Sequence, residues 1–293
     1  MLVESREGAN LTELERESIS DTIHSGIQKG QSVHHIMSSN KDFFTVCEKT
    51  IYRYINAEII QTKRGDMPKS CMMKPRKRKH LEHKVDTKCR LNRTFDDFKK
   101  HCEQYPDLPI VEMDSVIGRI GGKVLLTMHF NNCGLMLAFL RDANNSQSVI
   151  NIFNMLEELL SLKTFKRLFP VILTDNGSEF SNPNALENSS KSGKQRSKIF
   201  YCTPYSSWQK GHVENNHLNL RKIIPKGTNF DNFTQDDINL MLSHVNSFAR
   251  KSLNDVPAIT LFNTLYGKEI LENLNITLIS ANEVSLLPEL ISK

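Results

Sequence analysis

Pro109-Ile-Val-Glu-Met-Asp-Ser-Val-Ile117 is a largely apolar run closed by Gly118, and two similar runs follow at short intervals: Lys123-Val-Leu-Leu-Thr-Met-His-Phe130 and Leu135-Met-Leu-Ala-Phe-Leu140. Gly121 and Gly122 separate the first pair, and Asn131, Asn132 and Gly134 the second. Runs of this length, rich in branched and aromatic residues and joined by Gly/Asn turns, read as an antiparallel meander of three strands. A helix follows over about 146–163, where Val149, Ile152, Phe153, Leu156, Leu159 and Leu160 recur at helical spacing. Next come a fourth run, Val171-Ile-Leu-Thr174, a polar stretch over 181–197, and a short run near Ile199-Phe-Tyr-Cys202. Residues 208–224 and 234–253 read as helices. This order describes a mixed sheet flanked by helices, an α/β architecture.

Upstream, residues 11–59 read as helical. Thr12 and Glu15 have capping-box spacing. Ile19, Ile23 and Ile27 form one apolar stripe, and Gly30 is a natural stop. A short second helix fits Ser32 to Asn40. A third fits from Thr45, with Glu48 as its capping partner and Ile51, Tyr54 and Ile55 facing inward. Three short helices with a tight connection are compatible with a helix-turn-helix, in which Lys49, Thr50 and Arg53 face a DNA groove. A small helical cap or dimerisation element fits the same pattern. The expected division is therefore 1–60 as a helix-turn-helix-like segment, 61–104 as a basic linker, 105–270 as the α/β core and 271–293 as a tail.

The chain of 293 residues is 39% apolar and 24% charged, which is globular composition. No stretch approaches the ~18 consecutive apolar residues of a membrane span, and acids stand where a signal peptide would be basic and then apolar. Six cysteines in this length do not make a disulfide scaffold, so a reducing compartment fits. Net charge is +5, but residues 61–93 alone hold twelve Lys or Arg against three acids, while the remainder is slightly acidic. A basic segment between near-neutral flanks suits a polyanion, most simply nucleic acid. Arg76, Lys77, Arg78 and Lys79 are its densest part and the expected phosphate contacts; a solvated linker is the other reading.

Three acids stand where a site would form. Asp114 interrupts an apolar strand, an unfavourable place for a carboxylate without a partner. Asp175 follows the fourth strand directly, at the carboxyl end where open α/β sheets place ligands. Glu214 begins a helix, amid Gly211-His-Val-Glu-Asn-Asn-His217. Each alone reads as readily as a turn or capping acid. Gathered together they would raise one another's pKa and call for a cation. Hard oxygen donors suit Mg²⁺ or Mn²⁺, and a pair of such ions serves phosphoryl transfer. Glu112 shares a strand face with Asp114 and is the rival ligand.

Glu112-Met-Asp114-Ser-Val-Ile-Gly118, Leu173-Thr-Asp175-Asn-Gly-Ser-Glu-Phe180 and Pro204-Tyr-Ser-Ser-Trp-Gln-Lys-Gly-His-Val-Glu214-Asn resemble the three catalytic blocks of the insertion-sequence 30 family of bacterial DDE transposases. Leu220-Arg-Lys-Ile-Ile-Pro-Lys-Gly-Thr-Asn-Phe230, Arg250-Lys-Ser-Leu and, less closely, Lys49-Thr-Ile-Tyr-Arg-Tyr-Ile55 are similar to the same family. The resemblance implies a ribonuclease H-like core, with Asp114, Asp175 and Glu214 as catalytic and metal-binding triad. It implies Mg²⁺ or Mn²⁺, two ions, as cofactor, and DNA cleavage and strand transfer at element ends by water and then a 3′-hydroxyl. The implied partners are terminal repeats, target DNA and further copies of the chain on DNA, with no membrane, in the bacterial cytoplasm at the nucleoid. Family members usually carry a further leading helix-turn-helix, and the chain is expected to start beyond it. The 181–197 stretch makes the second interval longer than in the family, and Lys-Gly-His-Val-Glu is a variant of the third block. The alternatives are a shortened, non-catalytic DNA-binding copy that regulates transposition, and a metal-dependent nuclease that does not join.

Arg221, seven residues after Glu214, falls two turns along the same helical face and is an expected phosphate contact; Lys210 and Lys222 are candidates of the same kind. Tyr205 and Trp208, behind Pro204, read as packing at a helix entry, with nucleotide stacking as the alternative. Cys71, His80, His83 and Cys89 have no zinc-finger spacing, and His34-His35 lacks a downstream C-x-x-C partner.

Overall fold

The computed structural model describes Ala9, residues 11–68 and residues 88–291. Arg76, Lys77, Arg78 and Lys79, with Cys71, His80 and His83, lie outside the described residues.

The meander forms as expected. β1 (Ile110–Ile117), β2 (Val124–Phe130) and β3 (Met136–Arg141) pair antiparallel, and β4 (Val171–Thr174) and β5 (Lys198–Tyr201) add in parallel on the other side of β1. The strand order is β3-β2-β1-β4-β5. That order, with β2 antiparallel to the rest and helices on both faces, is the ribonuclease H-like sheet.

Two polar anchors show how the faces are used, because successive strand residues point to opposite sides. Glu112 reaches the backbone of α7 (Gly211–Ile223). Ser115 is tied by the Arg141 guanidinium to Ser148, in the first turn of α5 (Ser146–Leu168), at 2.8 and 3.0 Å. α7 and α5 therefore cover opposite faces of β1. The backbone turns out of the helix at Ser161, which divides α5 near the expected end of the 146–163 helix. The polar stretch over 181–197 holds only a short helix, α6 (Pro183–Glu187), and one isolated bridge, Asn188 to Gln195. α8 (Gln235–Ser247), α9 (Ala258–Tyr266) and α10 (Glu269–Asn273) complete the packing, and their apolar residues join one continuous core with the sheet.

The N-terminal helices are α1 (Glu13–Gln28), α2 (Val33–Ser39) and α3 (Glu48–Asn56), with a core of their own from Ile19, Ile23, Ile27, Val33, Ile36, Ile51, Tyr54 and Ile55. The Thr12–Glu15 capping box is present. Gly30, at φ +73°, makes the turn out of α1. The expected Thr45 start is corrected: α3 begins at Glu48, after Cys47. The Glu48 carboxylate is drawn instead to Lys251, at 2.8 Å, and to His34, at 3.3 Å.

Two boundaries also differ from expectation. The 61–104 stretch is not wholly linker, because it contains α4 (Phe95–Gln104), capped by Thr94 and Asp97. Phe95 and Phe98 pack on Val171, Leu173, Phe200 and Cys202. Residues 271–291 of the expected tail belong to the fold, since Val284, Leu286 and Ile291 are buried in the main core. They also fasten the N-terminal helices. Gln31 donates to the Val284 carbonyl at 2.8 Å, and His35 bridges the Ala249 N–H and the Ala281 carbonyl, both at 2.9 Å.

Candidate active site

The pairing of β1 with β4 builds the site. Their parallel register sets Met113 beside Thr174, so Asp114 and Asp175 follow side by side. Asp114 Oδ1 accepts the Ser115 N–H at 2.8 Å, and Asp175 Oδ1 accepts the Gly177 N–H at 2.9 Å. The second is an Asx turn, which explains why Asn176-Gly177 follows the acid.

Between the two carboxylates lies the Lys210 ammonium, 3.4 Å from Asp114 Oδ1 and 3.5 Å from Asp175 Oδ2. It also donates to the Met113 carbonyl at 3.3 Å. Lys210 is only 4% exposed, so the expected surface phosphate contact is corrected to an internal ion partner. Burial pushes the Asp114 carboxyl up to about 6, with Lys210 pulling it down and Asp175 adding to the rise. Burial works against the Lys210 charge, but the attraction of Asp114 and Asp175 outweighs it and raises the ammonium above its ordinary value.

Glu214 lies in the first turn of α7, four residues beyond Lys210, with its side chain exposed. The structure thus brings Asp114 and Asp175 together around Lys210, while Glu214 is exposed on α7. Among the described residues no three acidic, His or Cys side chains converge as a ready metal cluster. Glu112 is engaged elsewhere. Its carboxylate accepts the Val213 N–H at 2.8 Å and the Asn131 side-chain amide at 3.0 Å. It caps the N-terminal end of α7, where negative charge is favoured, and fastens that helix to the sheet.

His217, which sequence reasoning passed over, follows Glu214 at the i+3 spacing that shares a helix face. Thr127, paired across the sheet from Asp114, donates its hydroxyl to the Asp114 carbonyl at 3.1 Å and receives His217 Nε2 at 2.9 Å. His217 Nδ1 is then the bare nitrogen, 3.9 Å from Asp114 Oδ2. Burial, with Lys210 and Arg221 nearby, holds the imidazole down to about 4, so it is neutral at physiological pH. Arg221 donates to the Ile117 carbonyl at 3.1 Å, at the far end of β1 from Ile110. Lys49 and Arg53 are exposed on α3 and Thr50 is half-buried.

No family model matches the chain. Over 155 residues it is 28% identical to the transposase for insertion sequence element IS4351 of Bacteroides fragilis, covering 52% of this chain and 42% of that protein. It is 26% identical over 208 residues to the probable transposase for insertion-like sequence element IS1161 of Streptococcus salivarius, covering 70% of this chain and 55% of that one. Over 56 residues it is 36% identical to transposase InsI for insertion sequence element IS30A of Escherichia coli, covering 19% and 15%. The resemblance to insertion-sequence transposases, IS30 among them, is thus found in whole-sequence comparison. The chain spans about half the length of the longer-matching relatives.

Proposed function

We propose that the chain carries the catalytic centre of a transposase, which cuts DNA at the ends of an insertion sequence and joins the freed 3′ end to target DNA. The observation that carries this reading is the pair Asp114 and Asp175, set side by side by strand register around one buried cation position. That position fits a hard divalent ion: its donors are carboxylate oxygens, and an ammonium already occupies the place of positive charge. Asp114, Asp175 and Glu214 would hold Mg²⁺ or Mn²⁺. Bound there, a pair of such ions supplies an activated attacking oxygen and a stabilised leaving oxygen.

The chain's own residues do the rest. Glu112 sets the height of α7 on the sheet, and so the position of Glu214 relative to Asp114. His217, on the same helix, and Thr127 fix the Asp114 segment of β1. Lys49, Thr50 and Arg53 would contact the element's end through α3, Arg221 the phosphates near the centre, and Arg76, Lys77, Arg78 and Lys79 the phosphates between. Two or more copies would assemble on DNA, in the cytoplasm. No helix of the described residues is long and apolar enough to cross a membrane.

The test is a strand-transfer assay with pre-cut ends taken from the element's flanking repeats and Mg²⁺ or Mn²⁺. Asp114→Asn is expected to lower joining by at least about 1,000-fold through loss of an ion ligand. Its DNA affinity should stay within about threefold, because base and phosphate contacts lie elsewhere. Joining by the variant at the wild-type rate would remove Asp114 from the mechanism. DNA binding without any joining by the wild type would favour a non-catalytic copy.

A further inference from the structure

Beside Asp175 an open cavity of about 880 Å³ lies between the start of α4 and the ends of β4 and β5. Phe95, Tyr201 and Pro204 give it apolar walls, Lys88 and Arg90 bring positive charge, and Asn176 closes the side toward the two aspartates. One acid, Asp96, also lines it. Arg90 is held in place by two contacts: Nη2 donates to the Asn176 carbonyl at 3.1 Å, and the guanidinium lies 5.5 Å from the Tyr201 ring centre. Its Nε–H is buried with no hydrogen-bond partner among the described residues. Trp208 meets Phe95 edge to face at 6.1 Å, yet is 74% exposed. Tyr205, three residues earlier, is 76% exposed. The two rings expected to pack the entry to α7 therefore stand open to solvent.

We propose that this cavity receives an unpaired nucleotide of the DNA strand, next to the phosphate that is cut. The inference rests on the transposase reading and adds to it a place for a single base. A duplex keeps both faces of each base stacked, so an exposed Trp208 ring beside Phe95 is useful only to a base drawn out of the helix. Base-on-aromatic stacking tolerates any sequence, because every base has a flat face. Lys88 and Arg90, two of the bases in the 61–93 stretch, line the cavity itself and supply positive charge for a backbone phosphate. Asn176 directly follows Asp175, which puts the cavity within a nucleotide's reach of the candidate cation position.

The experiment uses the full chain carrying Asp114→Asn, so that bound DNA stays uncut. Two duplex probes are compared by fluorescence anisotropy, one blunt and one ending in three unpaired thymidines. The overhang probe is expected to bind about tenfold tighter, the scale of one stacked base. Trp208→Ala, at an exposed ring whose loss leaves the core intact, and Arg90→Gln are each expected to cut that preference to about threefold or less. With 5-iodouracil in the overhang, light is expected to crosslink the DNA to the peptide holding Phe95 or Trp208. Equal affinity for the two probes overturns the proposal. So does a preference that survives both variants, or a crosslink that maps elsewhere. The outcomes separate the two readings: an overhang preference without metal-dependent cutting by the wild type would refute the transposase and keep the cavity as a single-strand site. Cutting that depends on Asp114 without any overhang preference would refute the cavity alone.

Discussion

A buried ammonium shared by Asp114 and Asp175 offsets the repulsion between two neighbouring carboxylates. Lys210 therefore stabilises the fold and also competes for the place a divalent ion would take, since two cations cannot share it. Lys210→Met leaves the carboxylates uncompensated, and is expected to cost about 2 kcal/mol in EDTA, less than a fully buried pair because Asp175 is half-exposed. Adding Mn²⁺ should then raise the melting temperature of the variant more than that of the wild type. Equal shifts in thermal melts would mean that lysine and metal do not compete. Nothing in the sequence marks Lys210 as buried, because lysine is ordinarily a surface residue and its partners lie 35 and 96 positions away. The two aspartates were legible for the opposite reason: an acid inside an apolar run, and an acid before Asn-Gly at a strand end, are anomalies that local pattern exposes.

Helix α7 depends on one side chain of β1. Glu112 is 2% exposed and accepts the backbone N–H of Val213, so it joins helix to sheet as a cap. Glu112→Ala would leave that buried N–H and the Asn131 amide without their acceptor, and is expected to lower stability by about 2 kcal/mol in urea unfolding. Glu112→Gln, which keeps one acceptor oxygen, should lose less; an equal loss would point to packing rather than to the cap. Elements were legible where periodicity is strong, as in the meander and in the Ile19, Ile23, Ile27 stripe. α4 was not, because its apolar face is only Phe95 and Phe98 amid charged residues. The Thr94 and Asp97 pair was the available signal, being the same box that marks α1. Thr45 and Glu48 show the limit of that signal: the spacing is right, but Lys251 and His34, distant in sequence, claim the carboxylate.

Over the whole molecule, neutral histidines make stability depend on pH. Burial holds His129 down to about 4, against an ordinary value of 6.5. It is uncharged in the fold and takes up a proton once unfolded, so its contribution is complete above pH 6.5 and lost as pH falls toward 4. By pH 5 the loss is about 2 kcal/mol. Asp114, raised to about 6, acts in the other sense, adding stability as pH falls below that value toward 3.8. His129→Gln isolates the first effect: between pH 7.5 and pH 5 the variant is expected to lose about 2 kcal/mol less than the wild type in urea unfolding. Identical losses would show that His129 is charged in the fold. The register of β1 with β4 has a further, kinetic consequence. Asp114 and Asp175 are 61 residues apart, and they meet only after the α5 crossover has returned the chain to the sheet. Such distant pairing closes late, because a long loop must be ordered before any contact rewards it. A growing chain therefore holds Asp114 and Asp175 apart until β4 has docked, and the buried place for positive charge comes into being only when the fold is finished.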